Sequence, residues 1–198
     1  MAFPYLFEEG FELGTLGDFS SESDTSGRLD FAHYSKLAAI PGLPAPYRGA
    51  YCLRVDLAKA TTDAYVQADS AWDTAMASRV HTRFMFYVSR DLTMANNDEF
   101  AIFKLQSAGP VDEVVVVINY TTTNGVRLGI GETGGTSFLP LTLGGWHCVE
   151  INALIDDNAS NNGTIDANLN SGGFTQVGSL DQAAIAQARF GVMNQDAG

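Results

Sequence analysis

Cutting a sugar polymer by hydrolysis takes two carboxylates roughly 5 to 10 Å apart, and few acidic residues of this chain are spaced to supply them. Asp112 and Glu113 are adjacent, so on a strand they point to opposite sides. Glu150 stands alone in the run WHCVEIN and reads as a rim carboxylate. Nucleophilic catalysis needs a serine or cysteine with a histidine and an acid. The histidines are His33, His81 and His147, and none carries a nucleophile motif or a partner at a useful spacing. Cys148 follows His147 directly, so the two lie on opposite sides of a strand and the thiol has no base beside it. No two histidines pair as zinc ligands do. The sequence therefore implies no catalytic residues and a protein that is not an enzyme.

Two binding chemistries remain. Hard oxygen ligands for calcium collect at Asp156, Asp157, Asn158, Asn161 and Asp166, though the same residue types build a long hairpin turn. EF-hand spacing fails there: a loop starting at Asn158 has Gly163 in place, but Leu169 stands where a glutamate is required. Asp91, Asn96, Asn97 and Asp98 form a second such loop. Calcium is thus the one cofactor with candidate ligands, and none is required. Stacking on a pyranose takes exposed aromatic rings. Trp72, Tyr47, Tyr65 and Tyr34 lie in or beside loops and are the glycan-binding candidates, Trp72 first.

These residues must be carried by strands. Gly, Ser, Thr, Asn and Asp punctuate the 198 residues at short intervals, and between them lie short runs rich in Val, Ile, Phe, Tyr and Thr. The expected strands are Tyr5–Glu12, Ala50–Leu57, Ala64–Ala68, Arg79–Val88, Glu99–Gln106, Glu113–Tyr120, Gly125–Ile130, Ser137–Leu143, Trp146–Ile155, Thr164–Leu169, Phe174–Val177 and Ala188–Met193. In Arg79–Val88 strict alternation puts Val80, Thr82, Phe84, Phe86 and Val88 on one face. In Glu99–Gln106 it puts Phe100, Ile102, Lys104 and Gln106 opposite Ala101, Phe103 and Leu105. Glu113–Tyr120 is a continuous β-branched run, as in a strand covered on both faces. Asn124-Gly125 marks a hairpin. Asp181–Ala188 is the one stretch suited to a turn or two of helix, and residues 20–49, with Pro41, Pro44 and Pro46, read as an irregular surface connection. Many short strands without helices make an all-β, two-sheet antiparallel sandwich of jelly-roll type, here a single domain over 1–198.

Composition narrows the partners. With 11 basic and 23 acidic residues the net charge is −12, which disfavours nucleic acid and anionic membranes. Glu8, Glu9, Glu12, Asp18, Glu22 and Asp24 face only Arg28 within residues 1–30, a solvated edge or a contact for a basic partner. No run is long and apolar enough to cross a bilayer, and the first residues lack the pattern of a secretion signal. Cys52 and Cys148, each in an apolar run, are expected as free thiols.

Three segments carry a family resemblance. LFEEGFELGTLGDFS resembles the first strand and acidic turn of concanavalin-like and laminin-G-like sandwich domains, YRGAYCLRVDL their next core strand, and GGWHCVEINALID with NNGTIDANLN their late hairpin. The resemblance covers nearly the whole chain and implies the sandwich fold. It implies no catalysis: the glucanase branch sets its acids as Glu-x-Asp-x-x-Glu on one strand, and no such run is present. In this family the last strand returns beside the first, so a chain stopping at Gly198 implies a missing strand or an edge completed by another chain. A concanavalin-like domain without a leader is similar to capsid decoration and fibre proteins of tailed bacteriophages. The leading expectation is accordingly a non-enzymatic virion protein, made in a host cytoplasm and placed on the particle surface. It would be a homo-oligomer bound to capsid or other virion proteins, with a glycan as a further ligand. A carbohydrate-binding module of a secreted, extracellular enzyme or adhesin comes second, and a polysaccharide lyase or glucanase last.

Overall fold

The computed structural model describes residues 19–24, 27–39, 44, 45, 47, 51–55, 57, 63–69, 79–109, 111–155, 161–172 and 174–193. The expected first strand, Tyr5–Glu12, lies outside them, as does Trp72. Period-two patterning becomes strands in nearly every place the sequence offers it. The order is β1 (Ser21–Asp24), β2 (Leu29–His33), a short helix α1 (Tyr34–Ala38), β3 (Tyr51–Val55), β4 (Ala64–Asp69), β5 (Arg79–Tyr87) and β6 (Glu99–Ser107). There follow β7 (Asp112–Thr121), β8 (Gly125–Gly131), β9 (Ser137–Pro140), β10 (Trp146–Leu154), β11 (Gly163–Leu169), β12 (Phe174–Leu180) and β13 (Ile185–Met193). The segment read as an irregular connection thus holds β1, β2 and α1.

The fold is the expected all-β antiparallel sandwich. One sheet has seven strands in the order β1-β4-β13-β6-β7-β8-β9, the other has four, β12-β11-β10-β5, and β2 pairs with β3 in a ribbon of two. The last described strand, β13, is interior, hydrogen-bonded between β4 and β6. The residues just before it replace the expected helical turn: Gln182 donates to the Glu113 carbonyl at 2.6 Å and the Ala183 N–H to the Glu113 carboxylate at 3.0 Å, after which the chain pairs with β6. Sheet pairing overrides the helix preference of an alanine-rich stretch.

The core lies between the two large sheets. From β5 come Val80, Phe84 and Phe86, and from β10 Val149, Ile151 and Ala153. The seven-stranded sheet answers with Phe103, Leu105, Val114, Val116, Ile118, Leu128 and Ile130. Phe84 of one sheet meets Phe103 and Phe190 of the other, with ring centroids 5.2 and 5.5 Å apart, and Phe103 and Phe190 are 4.7 Å apart. At one edge Ser137 of β9 hydrogen-bonds Thr175 of β12, tying the sheets together. His147 turns inward with the core residues of β10 and is fully partnered. One ring nitrogen lies 2.7 Å from the Thr142 carbonyl, the other 2.9 Å from Asn170 Nδ2, and the ring lies 5.4 Å from Phe86.

The expected alternation of β6 changes where the ladder to β7 shifts register between Ala101 and Phe103. Such a bulge adds a residue and reverses the facing of everything beyond it. Phe100 therefore joins Phe103 and Leu105 in the core, with Ile102 packed against it, while Ala101 joins Val115, Val117 and Met193 on the other face. Both faces of β7 are buried, as its unbroken β-branched run requires.

A matching irregularity in β13, between Phe190 and Met193, centres on Gly191 at φ +152. A Cβ there would stand 2.6 Å from Tyr65 Cα and closer still to the Ala64 carbonyl oxygen. Overlap with backbone on a conformation that side chains avoid costs about 3 kcal/mol. Gly191→Ala is thus expected to lower the melting temperature by roughly 6–12 °C in a chain of this size. Gly145→Ala, where nothing lies within 4 Å, is the control, and a calorimetric scan of both reads the difference.

A second prediction concerns pH. Burial first, then the charges of Glu113 and Asp181, push the Glu132 carboxyl above the usual carboxylate range. A carboxyl raised on folding stabilises the fold fully below its unfolded value and loses that contribution as pH rises through the folded one. Glu132→Gln should therefore raise the melting temperature at pH 7 and leave it unchanged below about pH 4.

Candidate functional site

Residues on the outer face of the seven-stranded sheet line up in rows across the strands. One row runs Ser21, Gln67, Arg189, Lys104, Val115 and Gly131 through five pairings. Beside it Gln187, Gln106 and Asp112 form a second. Two cations, Arg189 and Lys104, are direct cross-strand partners, and side chains so placed have Cβ atoms about 5 Å apart.

Lys104 is 4% exposed, and its Nζ donates to Asp112 Oδ2 at 2.7 Å. Gln106, 3% exposed, donates from Nε2 to Asp112 Oδ1 at 2.5 Å. Its Oε1 is buried and accepts no hydrogen bond among the described residues. A buried acceptor left open costs free energy, and a polar ligand or water would complete it.

The reachable part of the face is half-buried Tyr65, Gln67 and Arg189. Arg189 Nε donates to Gln67 Oε1 at 2.5 Å and Nη2 to Gln187 Oε1 at 3.5 Å. The guanidinium stacks on the Tyr65 ring, 4.5 Å from its centroid. A guanidinium has five N–H donors, so this scaffold orients the group and leaves donors for a bidentate partner such as a carboxylate. Lys104 with Asp112 forms the recessed floor, and Arg189 and Tyr65 the working edge.

The other end of the same face is braced rather than open. Arg127 donates to Asn119 Oδ1 at 2.6 Å and lies over the Phe138 ring at 4.1 Å. Asn119 donates to Glu99, which also accepts from the Gly135 N–H at 3.3 Å. Phe138 can lie this close because Gly129 has no Cβ: one there would be 2.7 Å from both Phe138 and Val117.

The sequence candidates scatter. Tyr65 stands at this working edge. Tyr47 is on the other side of the molecule, 52% exposed, its ring 6.0 Å from Trp146. Tyr34 opens α1, and Trp72 is outside the described residues. Of the calcium candidates, Asp156, Asp157 and Asn158 lie outside the described residues; Asn161 is exposed, and Asp166 accepts from Gln176 Nε2 at 2.6 Å. Among the described residues no group of three or more His, Cys, Asp or Glu side chains is placed to hold a metal ion.

Of the acidic segment, Glu8, Glu9, Glu12 and Asp18 lie outside the described residues. Glu22 is exposed on β1, and Asp24 accepts from the N–H groups of Arg28 and Leu29 at 2.6 and 3.0 Å, closing a turn. Cys52 and Cys148 are free and half-buried. Arg189, Lys104, Gln106, Gln67 and Gln187 went unselected because they form no linear motif. Their one trace in the sequence is a polar residue at alternate positions of otherwise apolar strands.

No protein-family model matches the chain, and no curated protein matches it in sequence. Solved structures do match in fold. The marine PL-14 alginate lyase from Aplysia kurodai superposes with a TM-score of 0.61 at 10% identity, over 92% of this chain and 87% of that one. An endo-β-1,4-glucuronan lyase from the fungus Trichoderma reesei gives 0.59 at 12% identity, over 90% and 81%. A double mutant of alginate lyase Aly36B in complex with an alginate trisaccharide gives 0.52 at 11% identity, over 74% and 76%.

The three are structures of enzymes, which corrects the expectation that the chain is not one. Paired carboxylates serve hydrolysis and a triad serves acyl transfer, and a lyase reaction requires neither. Nor do these structures support a virion protein; they favour the reading placed last. The chain is, in fold, similar to alginate and glucuronan lyases.

Proposed function

We propose that the chain is a polysaccharide lyase acting on a 1,4-linked polyuronate, with its site on the outer face of the seven-stranded sheet. The observation that carries this reading is the row Gln67–Arg189–Lys104 with Tyr65 stacked under the guanidinium, on a fold shared with alginate and glucuronan lyases.

Elimination from a uronate removes the proton at C5, forms a double bond between C4 and C5, and expels the 4-linked sugar as an alkoxide that takes up a proton. The C5 proton is acidified when the adjacent carboxylate is neutralised by fixed donors. Arg189 supplies a planar pair of N–H donors for that carboxylate, positioned by Gln67 and Gln187. Lys104, paired with Asp112, floors the site from a recessed position. Tyr65 is the proton-carrying group beside Arg189, suited to taking the C5 proton or returning one to the leaving oxygen.

The test is the ultraviolet absorbance of the unsaturated uronate released from alginate or glucuronan. Absorbance that rises with the wild-type protein supports the reading; its absence on every polyuronate tried overturns it. Retention on the polymer without absorbance would point to a glycan-binding module instead. Arg189→Ala should lower kcat/KM by about 100-fold or more, since the carboxylate loses its charge-assisted bidentate partner. Tyr65→Phe keeps the ring under Arg189 and removes only the hydroxyl. It should cut kcat by about 10²- to 10⁴-fold with KM little changed.

A further inference from the structure

The outer face of the four-stranded sheet holds a second constellation that the proposed site does not use. With Val80, Phe84 and Phe86 of β5 turned into the core, Arg79, His81 and Arg83 turn outward, and all three are exposed. Side chains two apart on a strand are about 6.7 Å apart, so they make an even line along one strand.

Arg83, its side chain 64% exposed, is held in place: Nε donates to Cys148 Sγ at 3.2 Å and lies 3.4 Å from Glu150 Oε1. Among the described residues the side chains of Arg79 and His81 meet no hydrogen-bond or ion-pair partner, and the described acids of this face are engaged, Glu150 with Arg83 and Asp166 with Gln176. Where β10 begins, Trp146 has Tyr47 at 6.0 Å and Tyr87 at 5.7 Å, and its indole N–H donates to the Ala45 carbonyl at 3.2 Å. Exposed Arg90 lies against Gly144, two residues before Trp146.

In a chain of net charge −12 with 11 basic residues, two arginines and a histidine on one strand face, with a three-ring aromatic group beyond them, offset the charges of Glu150 and Asp166 and concentrate N–H donors there. Arginine recognises carboxylates by paired donors and aromatic faces stack on pyranose rings, so the two together fit an acidic sugar.

We propose that this face, running along β5 from Arg79 through His81 to Arg83 and on to the aromatic group of Tyr47, Trp146 and Tyr87, is a second binding surface for a polyuronate chain. It would hold the polymer while the site on the opposite sheet acts. The identity of the polymer rests on the lyase reading; the surface itself rests on β5 and is tested by binding alone.

The experiment is affinity electrophoresis of the intact protein in gels with and without embedded alginate, each variant compared with its own mobility in the polymer-free gel. Arg79→Ser with Arg83→Ser should weaken retardation about 5- to 10-fold. Arg79→Lys with Arg83→Lys should retain most of it, which separates lost charge from lost folding. Tyr47→Ala should weaken it without any change in charge. Arg189→Ala alone should leave the part due to β5. Wild-type retardation of the double serine variant would overturn the proposal. Retardation that depends on β5 in a protein releasing no unsaturated product would uphold this surface while the lyase reading falls.

Discussion

The contact between Phe84, Phe103 and Phe190 sets the terms for the rest of the molecule. It joins the two sheets through rings 4.7 to 5.5 Å apart, with Phe103 fully buried and Phe84 and Phe190 partly so, and aromatic burial is among the largest contributions a core of this size can hold. Its consequence for the outer face is geometric. Phe103 and Phe190 are cross-strand partners on β6 and β13, and so are Lys104 and Arg189, each one residue away from its phenylalanine. Neighbours on a strand point opposite ways. Once the rings are buried between the sheets, the two cations must stand side by side on the outer face, and core packing thereby fixes the geometry of the site.

Electrostatics then decides what that pair can do. Two cations on adjacent strands repel, and the structure answers by treating them differently. Lys104 is recessed and neutralised by Asp112, whereas Arg189 is held by two glutamine oxygens and a tyrosine ring that carry no net charge. A recessed ion pair is costly to break, because removing one partner strands the other in a poor solvent. Lys104 and Asp112 are therefore a fixed floor. Arg189, by contrast, is oriented and keeps its charge available. The same division recurs on the opposite sheet, where Glu150 restrains Arg83 while Arg79 has no ion-pair partner among the described residues.

Much of the fold was legible in the residues. The period-two runs gave the strands, the β-branched run of β7 declared a strand buried on both sides, and the acceptable helix in Asp181–Ala188 was lost only because β6 offered that stretch a ladder. The facing of β6 was not legible. Strict alternation puts Phe100 and Lys104 on one face, a conflict that only a bulge resolves, and bulges leave no reliable mark in sequence. The site was illegible for a related reason. Its members come from β4, β6, β7 and β13, and their register across four strands joins residues as distant in sequence as Gln67 and Arg189. Of the candidates chosen for their type, Tyr65 alone falls in that row's neighbourhood, and it was chosen for stacking on sugars rather than for moving protons.

That difference in role is the point on which enzyme and binding module separate. A face that only holds a uronate needs the guanidinium and something flat beneath the sugar; the hydroxyl of Tyr65 contributes little to that. Elimination needs a group that exchanges a proton within reach of the carbon next to the neutralised carboxylate. The ring of Tyr65 lies under the guanidinium that would bind the carboxylate, so its hydroxyl belongs to the same face of the sheet. Arginine alone would suit this face to binding a glycan, as proposed for the opposite side of the sandwich. In the proposed reaction the tyrosine beside it is what turns the same recognition toward chemistry.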